Sequence, residues 1–429
     1  MRKGKLFKII LPLLLWLPFV GLAKGGDGDK DVVYTDHVYR DNIKTVQLHQ
    51  TSWMFSPPVI QLGAHQKLQL DFDDLDGDYK SYYYTFIHCD ANWQASDINS
   101  MDYMRGFDQD FLNTYDYAFN TSQKYTHYTL IFPNKDIQLL LSGNYIVKIY
   151  LDNHPDSVVL TKRFMIYEDL VTIHPREKEA IGEDMYTKQE INFSINTSRY
   201  HILDPFHAMQ VFISQDWRWD NAINNLQPQF VQDTALQYFQ DDGNSFDGGN
   251  YFRSFDMTSL RYNTEHIEGM IPNPTGEELQ LKKDLPRTTE PYFTYQDIQG
   301  QYKIMTKDAD SSTINSEYVW VHFFLPMDST LKGGKLYIFG QLTDWQCKPE
   351  FEMRYDDVLA AYTAKVYLKQ GYYDYEYAFL KNGSTVADAT VIEGSHMEQA
   401  NNYYILVYNR ETGLYYDRLI GYVAFHGPQ

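Results

Sequence analysis

Residues 81–89 read SYYYTFIHC and run into DANW at 90–93. In an extended backbone successive side chains point to opposite faces, so Tyr82, Tyr84, Phe86 and His88 share one face while Tyr83, Thr85, Ile87 and Cys89 share the other. This is the period of a strand, and Asp90-Ala91-Asn92 turns the chain before Trp93 packs. The same reading weighs against a thiol enzyme. A cysteine–imidazole dyad needs hydrogen-bond contact, which neighbours on a strand do not make, although a distant histidine such as His127 could meet Cys89. The expectation is a core cysteine beside a histidine hydrogen-bonded across strands.

The period recurs along the chain in short runs bounded by Gly, Asn, Asp or Pro, with no sustained 3.6-residue pattern. KLQLDFDD, THYTLIFP, NYIVKIYLD and LTKRFMIYE join SYYYTFIHC in a first group. QEINFSIN, HAMQVFIS, GNYFRSFDM, GQYKIMT and YVWVHFFLP form a second, and KLYIFGQL, AYTAKVYL, YDYEYAFL and YYILVYN a third. The predicted class is all-β, in serial immunoglobulin-like β-sandwich modules spanning 24–168, 169–326 and 327–429. SDINSMDYMRGF reads either as one short helix or as a loop.

Charge and cysteine usage narrow the function. A net charge of −20 argues against nucleic-acid phosphates and anionic lipid as main partners. Cys89 and Cys347 fall in different modules, so no disulfide framework is expected. The 37 tyrosines and 25 phenylalanines supply sheet-forming cores instead. At the start, Arg2, Lys3, Lys5 and Lys8 precede an apolar run from Ile9 to Val20 and the small-residue ending Gly21-Leu22-Ala23. This reads as a cleaved signal peptide over 1–23, with the mature chain outside the cytoplasm. No later segment is long and apolar enough to span a bilayer as a helix. A membrane barrel is disfavoured because many alternating segments carry charge or Asn on one face and the turn lengths are irregular.

Chemical motifs are sparse. DFDDLDGDY at 71–79 invites a calcium reading, but aligning Gly77 with the glycine of an EF-hand loop puts Phe72 at the first ligand position and Tyr83 where a glutamate belongs. DDGNSFDGGN at 241–250, around Asp247, fails the same alignment. A cation near Asp73 stays open against a solvated turn. There is no G-x-S-x-G, H-E-x-x-H, P-loop or zinc-spaced cysteine pair, so no catalytic residue, metal site, cofactor or small-molecule substrate is assigned. In QDWRWDNAI an extended backbone puts Trp217 and Trp219 on one face, either as an aromatic platform for a sugar or partner or as core.

A resemblance adds to this. FDDLDGDYKSYYYTFIHCDANWQASDI (72–98), YDYAFNTSQKYTHYTLIFPN (115–134), LSGNYIVKIYLDN (141–153) and RFMIYED (163–169) resemble the N-terminal region of the type IX secretion system plug protein family. The likeness continues through DWRWDNAINNLQPQF and NNYYILVYNRETGLYYDRLIGY, over nearly the whole mature chain. It implies a noncatalytic periplasmic protein attached to a giant outer-membrane β-barrel translocon, whose periplasmic mouth it closes when no cargo shuttle occupies the barrel's lateral opening. His88-Cys89-Asp90 would then belong to a structural signature. The third module, through GGKLYIFGQLTDWQ and AYTAKVYLKQGYYDYEYAFLKNG, is similar to glycogen-binding-type carbohydrate modules. That likeness implies a shared fold, with Trp345 at the tryptophan position and Tyr372 and Tyr373 in the Gly-Tyr-Tyr strand. The alternative function is therefore a secreted carbohydrate-binding protein stacking sugars on Trp345, Trp217 and Trp219.

Overall fold

The computed structural model describes residues 32–427 apart from 180–181, 225, 240–242 and 274–275, so the signal peptide read at 1–23 lies outside the described residues. The chain is all-β, and its helices are single turns. One of them, Ser100–Tyr103, resolves the helix-or-loop question in SDINSMDYMRGF. Asp102 reaches back to accept from the Asn99 N–H at 3.0 Å, closing a capping box, and the chain is extended again from Met104.

Seven strands carry the first module: β1 (Ile43–Gln50), β2 (Leu68–Asp74), β3 (Tyr82–Cys89), β4 (Tyr115–Tyr117), β5 (Thr126–Phe132), β6 (Gly143–Leu151) and β7 (Val158–Tyr167). One sheet runs His37–Val38, β7, β6, β3, Asp110–Phe111, with Val59–Gln61 lying parallel on β7. The other runs β1, β2, β5, β4. Alternation fills the space between them: Leu68, Leu70 and Phe72 from β2 and Tyr128, Leu130 and Phe132 from β5 meet Tyr82, Tyr84 and Phe86 of β3. Tyr145 stacks on Phe164 at 5.2 Å, and each such buried ring contributes about 1.5–3 kcal/mol. Gly143, at φ +136°, opens β6 because a Cβ there would sit 2.7 Å from His88 Nε2 and 3.0 Å from the Asp417 carbonyl oxygen. Gly143→Ala is expected to cost about 2 kcal/mol or more, read from the midpoint of denaturant unfolding.

The second module is built from two distant stretches. β8 (Thr172–Glu179), β9 (Lys188–Asn196) and β11 (Ala235–Tyr238) form one sheet with Phe230–Gln232 and Ser245–Asp247. β10 (Met209–Gln215) forms the other with β18 (Asn402–Asn409) and β19 (Arg418–His426). Their core joins Ile191, Phe193 and Ile195 to Val211, Ile213, Ile405 and Val407.

Between these stretches lies the third module. β12 (Arg253–Asp256), β13 (Tyr318–Pro326), β14 (Gly334–Phe339), β15 (Glu352–Asp356), β16 (Ala361–Lys369) and β17 (Gly371–Lys381) belong to one ten-stranded sheet. β15 folds it over, pairing with β14 at Met353 and with β16 from Arg354, so that Leu336, Ile338, Tyr375 and Tyr377 face Val319, Val321, Phe323 and Val366. The division expected at 326/327 is therefore corrected. YVWVHFFLP and GNYFRSFDM pair within the third module, and YYILVYN pairs with β10 across the insertion. Alternation shows which face a strand buries, and it carries no information about which strand lies beside it.

Candidate functional site

The signature His88-Cys89-Asp90-x-x-Trp93 sits where the first module meets the second. His88 faces the first module's core. Its Nε2–H donates to the Ser142 carbonyl at 3.1 Å, Nδ1 lies 2.8 Å from the Ser96 hydroxyl, and burial pushes its pKa down to about 4. Cys89 points the other way, into a cluster with Ile146, Met165, Phe212, Leu406 and Tyr408, where burial raises its thiol far above the ordinary range. The two side chains diverge as the strand period requires. His127 is on the opposite sheet and bound to Asp71 and Asp73, so the open pairing of Cys89 with His127 is excluded. Asp90 Oδ1 accepts from the Asn92 and Gln94 N–H groups, both at 2.9 Å, which fixes the turn. Behind it, the Ala91 N–H donates to Asp417 Oδ2 (2.9 Å) and Tyr408 donates to Asn144 Oδ1 (2.7 Å), tying the modules together.

The aromatic candidates Trp217 and Trp219 line this junction, half-buried and packed edge to face. Positive φ at Asp216 (51°) and Trp217 (64°) breaks the extended backbone assumed for QDWRWDNAI. Trp217 meets Tyr404 at 5.1 Å, Trp217 meets Trp219 and Trp219 meets Trp93 at 5.5 Å each, and the Arg163 guanidinium lies 4.3 Å over the Trp93 ring. Arg218 does leave on another side, donating to the Ala387 carbonyl at 2.8 Å and lying over Phe339, so it ties the second module to the third.

Burial speaks against two of the sugar candidates in the third module, Trp345 and Tyr373. Trp345 is 5 % exposed, wedged edge-on against Phe339 and Phe252, with its indole N–H donating to Gln341 Oε1 at 3.1 Å. Tyr373 is 2 % exposed and stacked between Phe255 and Tyr302, each at 5.2 Å. Tyr372 is half-buried, its phenol pushed up to about 12 by burial. A sugar cannot stack on a ring already covered on its face, so soluble maltooligosaccharides are expected to leave the tryptophan fluorescence of the protein unchanged.

The acidic segment at 71–79 holds cations of the chain itself. Asp73 is buried, with Lys369 Nζ at 2.6 Å, the Tyr318 hydroxyl donating at 2.7 Å and His127 Nδ1–H donating at 2.7 Å. Burial alone would raise the Asp73 carboxyl, but Lys369 and His127 override it and hold it below its ordinary value. Burial likewise disfavours the His127 imidazolium, yet hydrogen bonds to Asp71 and Asp73 raise its pKa to about 9. Asp74 receives Lys80 at 2.8 Å and the Tyr82 hydroxyl at 2.8 Å. Among the described residues no group of three or more His, Cys, Asp or Glu is placed to hold a metal ion. A second buried pair repeats the device: Lys162 of β7 meets Asp344 at 2.6 Å and Asp36 at 2.8 Å, with Lys348 completing Asp344 at 2.7 Å. Both pairs join the first module to the third. The sequence marks Asp73 for a cation but does not show that the cation is Lys369, 296 residues away.

A buried acid in the third module lacks this compensation. Asp374 of β17 accepts from the Ile298 N–H (2.6 Å) and the Gly300 N–H (3.3 Å) on Oδ2, while Oδ1 has no hydrogen-bond partner among the described residues. Burial, then the charge on Asp297, push its pKa up to about 8. Between the unfolded value, about 4, and this raised value the unfolded chain binds fewer protons than the folded one, so stability falls as pH rises. Asp374→Asn imitates the neutral acid. It is expected to match the unsubstituted chain near pH ~4 and to exceed it by about 2–5 kcal/mol near pH ~8, read from melting curves across that range.

Among the described residues no helix is long and apolar enough to cross a membrane. The model of the type 9 secretion system plug protein first domain matches residues 43–168, the module that carries the His-Cys-Asp signature and Asp73. The crystal structure of a hypothetical protein from Parabacteroides merdae superposes with a TM-score of 0.90 at 31 % identity, covering 92 % of this chain and 100 % of that one. No curated protein matches the chain. The match of residues 43–168 to the family model, in a chain whose fold extends over the whole length of the Parabacteroides merdae structure, places it in the type IX secretion system plug protein family.

Proposed function

We propose that the protein closes the periplasmic mouth of the giant outer-membrane β-barrel translocon of type IX secretion, held there by protein–protein contact and without catalysis. The observation that carries this reading is the match of residues 43–168 to the first domain of the type 9 secretion system plug protein, and the buried Asp73–Lys369 pair between the first and third modules, with side chains 1 % exposed, suits it. A stopper across a wide aqueous pore must keep its shape. Modules joined by ordinary wet interfaces move relative to one another by default. Here a buried ion pair and an aromatic cluster lock the first module to both others, which suits a single rigid block. The membership of the family and the absence of a spanning helix among the described residues agree with a periplasmic protein that reaches the outer membrane through its partner.

The test is affinity purification of the tagged protein from gently solubilised outer membranes, followed by mass spectrometry. One very large barrel protein in near-equal amount is the expected result. If the protein comes down alone, or only with polysaccharide, the plug reading fails.

A further inference from the structure

Residues 107–119, FDQDFLNTYDYAF, place every aromatic residue at an odd position: Phe107, Phe111, Tyr115, Tyr117 and Phe119. All five are exposed, from 37 % for Tyr115 to 69 % for Phe119, while Leu112 at an even position is buried and anchors the segment. The segment runs along one open side of the first sandwich. Asp110–Phe111 is the edge of one sheet and β4 is the edge of the other. Natural edges are blunted by shortness, charge, Pro, a bulge or a covering element; here the two edge strands are two and three residues long, so any added strand is short as well. The segment has neither Lys nor Pro; it carries three carboxylates, Asp108, Asp110 and Asp116, and no cation.

The main chain is oriented for pairing. Thr129 N–H donates to the Thr114 carbonyl at 3.1 Å and Ala118 N–H donates to the Tyr125 carbonyl at 2.8 Å. Antiparallel ladders alternate, so Thr114, Asp116 and Ala118 turn their groups toward β5, and Tyr115 and Tyr117 turn theirs outward. At Phe119 that outward row is already used: its N–H donates to the Ile314 carbonyl (2.9 Å) and its carbonyl accepts from Asn315 Nδ2 (2.7 Å), both from the third module. The row continues past that contact onto Tyr117 and Tyr115 with no further strand beside it among the described residues.

We propose that this edge docks an extended, Lys- or Arg-bearing segment of the translocon barrel protein, which adds a strand at Tyr115 and Tyr117 and covers the exposed rings. The identification of the partner rests on the plug reading above; the chemistry of the docked segment rests on the negative, aromatic edge, which complements a basic strand. The experiment uses the full chain recovered with its partner. A photo-crosslinking residue replaces Tyr117, with a control at Val358, 93 % exposed on the third module. Two further chains carry Phe111→Ser/Tyr115→Ser/Tyr117→Ser, or Tyr117→Pro, which removes one outward N–H and leaves the β5 ladder intact.

Position 117 is expected to cross-link to a basic segment of the barrel protein and position 358 not to. Both variant chains are expected to retain at least tenfold less barrel protein while melting within about 2 °C of the unsubstituted chain. Undiminished retention by the triple variant overturns the proposal. So does a cross-link from 117 into a second copy of this chain. If the unsubstituted chain retains no barrel protein, the plug reading itself has failed, and the unsubstituted arm alone reports that.

Discussion

Lys369→Met is expected to destabilise the folded chain by about 3–5 kcal/mol, because removing one partner of a buried pair leaves the other charge in the interior. Asp73 keeps the Tyr318 hydroxyl and His127 but loses the ammonium that offsets its burial. The loss is expected to depend on pH in a definite direction. A carboxyl held low in the fold contributes stability that is present above its unfolded value, about 4, and is lost as pH falls through the folded value. The substitution removes that contribution, so the gap between the two chains narrows toward acid, where Asp73 can take a proton. Urea unfolding at several pH values measures it. Adding Asp73→Asn to Lys369→Met is expected to recover part of the loss, since no unpaired charge then remains; a double variant as unstable as the sum of the singles would mean that the pair does not act as a unit.

The second large effect is expected at Trp93. Its ring is held between Arg163, 4.3 Å above it, and Trp219, and together they fill the space between the first two modules. Trp93→Ala opens a cavity there and is expected to cost about 3–5 kcal/mol. The more telling readout is cooperativity. Scanning calorimetry on the unsubstituted chain should give one dominant transition, and the variant should show the first module melting apart from the rest, with new proteolytic cleavage near residue 169. A single unshifted transition would show that the junction does not depend on this ring.

These two residues differ in how far the sequence revealed them. The alternation through 82–89 was enough to separate His88 from Cys89 and to place Trp93 after a turn, because strand period and Asx turns are local physics. Trp217 and Trp219 do lie together with Arg218 leaving on another side, but two left-handed residues, Asp216 and Trp217, arrange them so and not the extended backbone the alternation assumes. Trp345 kept its expected place after the Gly340 turn, but its ring is covered by Phe252 and Phe339, neighbours that only the tertiary fold supplies. Lys369 was invisible. Its strand AYTAKVYLK reads as one more alternating strand, and nothing near it in sequence announces a carboxylate 296 residues upstream. The module order failed for the same reason: consecutive strands are neighbours often enough to serve as a guess, and here an entire module intervenes between β10 and β18.

That intervention governs how the polypeptide can be made. The first module has all its strands once residue 167 has emerged, and the inserted module can close while the chain is still growing. β10 cannot: its hydrogen-bonding partner and the far half of its core arrive only with the last strands, ending at His426. For most of synthesis, then, Val211 and Ile213 wait beside an unfilled edge, in a state that invites wrong pairing. A holding chaperone, or export fast enough to deliver the C-terminal strands promptly, is what such a nested order of assembly calls for, and losing a few residues from β19 would leave a nearly complete protein with its middle open.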